Sequence, residues 1–370
     1  MRRTEPAAIP RELVVLLLLF PVSAVGAEAR VHAPGAEETG ITEAADAPRA
    51  PAGPAADSTA AIERGRRLTR WLLEGKADSI ASTTAPAYLK EIGGEAGVAS
   101  LADRAGRQLG AEQEVVAEEA YTDRSVNHYY RVSRFSKAPG RTITTRWAWR
   151  EGGTVVLMGI RPTPRPADTG NEEYATKSDL SLPFDGARYV VWGGRSPRRN
   201  YHVRAADQRF AYDFLELEKG ASHRGEGTEN RDYYCFGTPV RAPAPGRVVR
   251  AADSVADNTP GEMNREQIFG NHVVIDHGNG EYSVLAHLRR GSVTVETGDR
   301  VERGRVLGEC GNSGHSSEPH LHYHLQDSPV PGRGTGLPAV FHTYRADGER
   351  VDEGEPVRGQ VVRPIPAAGG

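Results

Sequence analysis

A chain of 370 residues is long enough for two ordinary domains, each able to bury its own core. Its 46 basic and 49 acidic residues leave a formal net charge of −3, which excludes bulk attraction to nucleic acid or to an anionic membrane surface.

The first 29 residues read as an export signal. Arg2 and Arg3 precede an apolar run from Leu13 to Phe20, which continues past Pro21 to Val25 and ends in small residues. The run is too short to span a bilayer, and cleavage after Ala27 or Ala29 fits the small-x-small rule. No cysteine follows that would carry a lipid. The mature protein is therefore expected to be secreted or periplasmic, without stable membrane insertion; Glu5 and Glu12 are unusual in such a segment and keep an uncleaved anchor as the alternative. Residues 30–57, rich in Ala, Pro, Gly and acidic side chains with no hydrophobic period, read as a linker.

Residues 58–161 open with apolar positions three and four apart, Ala61, Leu68, Trp71 and Leu72, then Val98, Leu101, Ala102, Ala105 and Leu109, which predict helices. The period then changes to two, in Val126 to Phe135, in Ile143, Thr145, Trp147 and Trp149, and in Val155, Leu157 and Gly159, predicting a curled antiparallel sheet. Helices followed by strands indicate a small α+β accessory domain. In element order it resembles the cone-shaped nuclear-transport-factor-like or cystatin-like domains. His128, beside Tyr129 and Tyr130, reads as sheet surface rather than as a site. Pro162, Pro164 and Pro166 begin a polar linker, 162–179.

From 180 to 345 short strands alternate with glycine turns: Tyr189 to Trp192, Phe210 to Leu217, Gly246 to Ala251, His272 to Asp276, Tyr282 to Leu288, Val306 to Gly308 and Leu321 to Leu325. The segments APAPGRVV and VETGDRVERGRVLG have the turn pattern of lipoyl or biotinyl carrier domains, but no lysine stands at a hairpin tip to carry a cofactor. The expected architecture is a multidomain chain whose C-terminal part is a mostly antiparallel β-sandwich with an open groove. Residues 346–370 read as a C-terminal extension. The two cysteines, Cys235 and Cys310, both fall in this domain; a disulfide and two buried thiols remain open alternatives.

In HLHYHL the histidines 320, 322 and 324 alternate, so a strand turns all three to one face. Imidazole is the commonest transition-metal ligand and a good general base near neutral pH. Asp213 in QRFAYDF, His202 in NYHV and His287 in YSVLAHL supply what a catalytic zinc needs besides. Two His and one carboxylate leave a fourth position for water, and the residual charge acidifies that water and polarises an amide carbonyl.

With these residues in view, the region resembles the lysostaphin-type (LytM-like) zinc metalloendopeptidases, whose domain carries the duplicated hybrid motif. The resemblance rests on QRFAYDF, FGTPVRAPAPGRVV, GNHVVIDHGNGEYSVLAHL, VETGDRVERGRVLGECGNSG and EPHLHYHL. It implies Zn2+ held by Asp213 and His322, with His287 and His320 as catalytic residues flanking the water and the scissile carbonyl. The common family pattern has a histidine four residues before the aspartate, where this chain has Arg209, so the third ligand is expected from His202, with His223 as its competitor. His324 is read as orienting a ligand from behind. His272, His277 and His342 take surface or hydrogen-bonded roles, and His315 a turn position. The function implied is a secreted zinc metallopeptidase acting on peptidoglycan stem-peptide cross-links, expected to be monomeric. The alternatives are a non-catalytic wall-binding relative that activates a separate amidase, and a metallopeptidase whose target is a secreted protein. Long polar loops at 218–233 and 253–268 would set the groove width.

Overall fold

The computed structural model describes residues 59–123 and 125–365, and two compact units divide at Thr163/Pro164. The export signal (1–29) and the Ala/Pro-rich linker (30–57) lie outside the described residues.

The first unit has four helices, α1 (Thr59–Leu73), α2 (Ala77–Ala81), α3 (Pro86–Glu91) and α4 (Gly94–Leu109). A four-stranded sheet follows, in the order β1 (Glu112–Asp123), β2 (Val126–Phe135), β3 (Ile143–Arg150), β4 (Val155–Pro162), with β2, β3 and β4 antiparallel. The helical period places Leu68, Leu72, Val98 and Ala102 on faces that pack against Tyr129, Trp147, Trp149 and Met158 of the sheet. Gly65 is required in the middle of α1 because a Cβ there would lie 2.1 Å from the Tyr129 ring. The buried Trp147 indole donates to Thr69 Oγ1 at 3.0 Å. His128, expected at the sheet surface, is instead buried and stacked on Tyr121 with ring centres 5.0 Å apart. A polar residue name in an alternating strand says nothing of an aromatic neighbour arriving from the next strand.

The second unit contains β5 (Arg188–Trp192), β6 (Tyr212–Leu215), β7 (Pro239–Arg241), β8 (Gly246–Ala252), β9 (Asn271–Asp276), β10 (Tyr282–Leu288), β11 (Arg300–Val301), β12 (Val306–Glu309), β13 (Leu321–Gln326), β14 (Gly336–Leu337), β15 (Phe341–Ala346), β16 (Glu349–Gly354) and β17 (Val361–Pro364). One mostly antiparallel sheet runs β11-β8-β9-β10-β13-β6-β5-β17-β15-β16, with β14 on β13. The second layer of the expected sandwich is only the ribbon β7–β12, whose Val240 and Leu307 share a core with Val248, Phe214 and Tyr323 of the large sheet.

Strand alternation divides β13 in two. Leu321, Tyr323 and Leu325 enter that core, and His322, His324 and Gln326 take the opposite face. Asp213 of β6 pairs directly across from His322, and Ala286 of β10 flanks it on the other side.

The sheet does not stop at 345. β16 pairs with β15, and β17 inserts between β15 and β5, pairing Val361 with Tyr189. The residues expected to form an extension therefore belong to the sheet up to Pro364, with β16 as its edge strand; the short polar β16 concealed this in the sequence. The turn before β17 leans on the end of β5: Arg358 N–H donates to Gly193 O at 3.1 Å, and its guanidinium lies 4.2 Å from the Trp192 ring centre. The segment after Pro164 is also tied to this unit, through Ala167 N to Val203 O at 2.7 Å and through the backbone N–H groups of Lys177 and Ser178, which donate to the buried Glu281 carboxylate at 2.7 and 2.8 Å.

Cys235 and Cys310 form a disulfide with Cα atoms 5.9 Å apart. It joins the approach to β7 with the end of β12, directly before the GNSG turn that leads to His320.

Candidate metal centre

His202, Asp213 and His322 each offer a ligand atom, all within 4.8 Å of one another. The three come from different places in the chain. Asp213 and His322 face each other across the β6–β13 pair, with His322 Nδ1 2.8 Å from Asp213 Oδ1. His202 sits in a 3-10 turn, Tyr201–Arg204, whose N-cap Asn200 accepts from His202 N–H at 3.1 Å. Its Nε2 lies 3.6 Å from Asp213 Oδ2. Tyr201 and Trp192 pack behind it, with ring centres 3.9 Å (Tyr201 to His202) and, edge-on, 5.1 Å (Trp192 to Tyr201) apart.

Arg209 is turned elsewhere. It donates to Arg195 O at 3.1 Å and lies over the Phe210 ring at 4.7 Å. His223 also lies apart from the cluster, its ring against Tyr233 at 5.1 Å.

Two more histidines border the cluster. His320 Nε2 is 3.6 Å from Asp213 Oδ1, and the His287 ring centre is 4.8 Å from that of His320. Both have Nδ1 against a backbone carbonyl, Glu318 O for His320 and Ser313 O for His287, each at 2.8 Å. With Nδ1 committed as donor, each neutral ring presents Nε2 as a base. His287 reaches this place through a β-bulge and a backbone φ of 63°, in the left-handed region where a branched or bulky side chain is costly. His315 donates its backbone N–H to Ile268 O at 2.9 Å, in the turn expected for it. His277 spans Pro245 O and Ser283 Oγ, a hydrogen-bonded role.

The carbonyl that holds His287 belongs to a tightly interlocked turn. Gly314 has φ +81°, and a Cβ there would lie 2.4 Å from Gly270 N; a Cβ on Gly270, at φ +55°, would lie 2.4 Å from Ser313 C. Gly314→Ala is expected to destabilise the protein by about 2–4 kcal/mol, from backbone strain plus overpacking. Urea denaturation checks this, and an unchanged midpoint would contradict the geometry.

The electrostatics of the cluster follow from its burial. Burial opposes ionisation of Asp213, but His202 and His320 and the hydrogen bonds from His320 and His322 outweigh it and hold the carboxyl well below the usual carboxylate range. Burial pushes His202 down to about 3, against the pull of Asp213. His287 and His324 are likewise held well below 6.5 by burial. For His320, burial is outweighed by Asp213 and by the Glu318 carbonyl, and its pKa rises. A cation bound at Asp213 would cancel much of that rise.

A pH dependence results. The unfolded imidazole titrates near 6.5 and the folded His202 near 3, so between these values the unfolded chain takes up a proton that the folded site refuses. The stability contributed by neutral His202 is complete above pH 6.5 and lost as pH falls toward 3. Asp213 adds a loss only below its unfolded value near 3.8. The metal-free protein is expected to lose thermal stability between pH 7 and 4, with a shallower slope for His202→Gln; parallel slopes would remove His202 as the cause.

A buried donor set of two imidazoles and one carboxylate, flanked by two further histidines, fits zinc in kind and number. The fold and site together define the class: a β-rich domain on an antiparallel sheet whose His/Asp/His group could hold a metal ion. Residues 229–332 match the model of Peptidase family M23. His287, His320 and His322 lie inside the matched stretch, while His202 and Asp213 precede it. Among curated relatives, the chain is 35% identical over 106 residues to the peptidoglycan DD-endopeptidase ShyA of Vibrio cholerae, covering 28% of this chain and 21% of that protein. It is 35% identical over 104 residues to the DD-carboxypeptidase/endopeptidase Mpg of Neisseria meningitidis, with the same two coverages. The chain thus spans about a fifth of the length of these relatives. The lysostaphin catalytic domain from Staphylococcus simulans aligns at 22% identity and a TM-score of 0.26, over 42% of this chain and 88% of that one.

The sequence reading missed Asn200 and Gln326. An Asn two residues before the His of the cluster is a visible cap signal. Gln326 shares the face of His322 by the same period of two that singled out the histidines.

Proposed function

We propose that the protein is an exported zinc metalloendopeptidase that hydrolyses peptide cross-links of bacterial peptidoglycan. The observation that carries this reading is the convergence of His202, Asp213 and His322 beside His287 and His320 in a family M23 domain. The substrate class is drawn from the peptidoglycan endopeptidase relatives.

His202, Asp213 and His322 would hold the metal. A bound zinc supplies Lewis acidity, which acidifies a water and polarises the scissile carbonyl. His320, anchored through Nδ1, offers Nε2 to take the proton of the attacking water and to return it to the leaving amine. His287 is neutral at rest and presents a bare Nε2, which would accept from the second O–H of the attacking water and hold it beside the scissile carbonyl. The first unit serves as an accessory domain. Among the described residues, no helix is long and apolar enough to cross a membrane.

The test is digestion of purified peptidoglycan by the full chain, with and without a chelator, read by mass spectrometry. New peptide ends that vanish with chelator and return with added zinc are expected. A folded protein that yields no new ends with zinc restored overturns the reading.

A further inference from the structure

We propose that Asn200 and the pair His324–Gln326 are positioning residues that decide which ring nitrogens of His202 and His322 carry hydrogen, leaving His202 Nε2 and His322 Nδ1 as bare lone pairs facing Asp213. In naming a divalent cation as what those lone pairs await, the inference rests on the metal site proposed above; the hydrogen placement does not.

The His202 side is fixed by two carbonyls. Asn200 Nδ2 lies 3.1 Å from Gly194 O and 2.8 Å from Ala211 O. Both partners only accept, so this end of the amide is the nitrogen, and Oδ1 is the end that faces His202 Nδ1 at 2.9 Å. A carbonyl oxygen cannot donate. His202 Nδ1 must therefore carry the hydrogen, and the neutral ring has its lone pair on Nε2, the atom 3.6 Å from Asp213 Oδ2.

The His322 side is fixed by a longer relay that also ends on a carbonyl. Gln326 Nε2 donates to Ser328 O at 2.5 Å, which turns Oε1 toward His324 Nε2 at 3.0 Å. His324 Nε2 then carries that ring's hydrogen and its Nδ1 is an acceptor. His322 Nε2 lies 3.0 Å from this acceptor and must donate to it. In the neutral ring the lone pair of His322 is left on Nδ1, 2.8 Å from Asp213 Oδ1. Every member of the relay, His322, His324 and Gln326, is buried on one face of β13, out of reach of solvent that would scramble the order.

Two independent chains of donors and acceptors thus deliver two lone pairs to one buried carboxylate. With a cation between them the arrangement is a finished ligand set; without one, a proton on His322 Nδ1 donated to Asp213 Oδ1 at 2.8 Å stands in its place. Groups that orient metal-binding imidazoles in this way are typically worth 10–100-fold in affinity.

The test uses the full chain with 15N-labelled histidine. Long-range 15N–1H correlation spectra of the metal-free protein near pH 7.5, assigned with single histidine variants, read the hydrogen on each ring; zinc affinity is read by competition with a chromophoric chelator. The expected hydrogens are Nδ1 on His202, Nε2 on His322 and Nε2 on His324. Asn200→Ala and Gln326→Leu are each expected to weaken zinc binding about 10–100-fold while circular dichroism stays unchanged. His324→Asn, which keeps an acceptor near the Nδ1 position, is expected to retain more affinity than His324→Leu. A hydrogen on His322 Nδ1 with none on Nε2, in the wild type, overturns the proposal. So does a Gln326→Leu protein with wild-type spectra and affinity. The assigned hydrogens in a wild type that binds no zinc would uphold the relay and sink the metal reading.

Discussion

Asp213→Asn is expected to lower zinc affinity by more than about 100-fold, beyond the range found for groups that merely support a ligand, and to abolish wall digestion. The substitution keeps the volume of the side chain and removes its charge. Asp213 is 3% exposed and held far below the usual carboxylate range, so it is an anion at every working pH. It is the one anion of the donor cluster, lying between His202 Nε2 and His322 Nδ1. An amide there leaves two imidazoles, too few and too weakly placed to retain a divalent ion. Metal analysis of the purified variant and calorimetric titration of the metal-free form check this. Equimolar zinc in folded Asp213→Asn would show that the metal sits elsewhere.

Removing the disulfide has the largest expected effect on stability. Cys235 and Cys310 are 75 positions apart, and closing a loop of that length constrains the unfolded chain by about 4 kcal/mol. Both cysteines are buried among apolar neighbours, so Cys235→Ala/Cys310→Ala also leaves a small void. The double variant is expected to unfold at a markedly lower urea concentration with a similar m-value. A loss below about 1 kcal/mol would mean that the loop is already constrained in the unfolded state. The effect should reach the site, because Cys310 precedes Ser313, whose carbonyl holds His287, by three residues. Weaker digestion at temperatures where the variant is still folded would register that connection.

Strand positions were legible wherever one face is apolar. Gly246–Ala252, Asn271–Asp276 and Tyr282–Leu288 depart from the expected bounds by at most one residue, because glycine turns punctuate them. β6 is shorter than read, Tyr212–Leu215, since Phe210 and Ala211 are drawn into the turn that carries Arg209. The convergence of Asp213 with His322 was legible as residue types at period two, and the structure shows why it occurs: β6 is the strand beside β13. What supports these side chains was not legible. Ser328 O, Ala211 O and Glu318 O are backbone atoms, present at every position, and only the fold selects which of them a ring meets. β17 was hidden for a similar reason, as a four-residue strand gains its meaning from the two strands it enters.

The insertion of β17 bears on the order in which the domain is built. The chain emerges from its N-terminal side, so β5 is made early and waits with the edge away from β6 unpaired until residues 361–364 arrive. Pairings so distant in sequence make for slow folding. The loop carrying His202 is braced from this late region, through Arg358 against Gly193 and Trp192 and through the Arg195–Glu355 ion pair at 2.5 Å. Asp213 and His322 belong to strands that meet each other directly, whereas the seat of the remaining imidazole is braced by the turn between β16 and β17. Assembly of the donor set is thereby coupled to completion of the sheet.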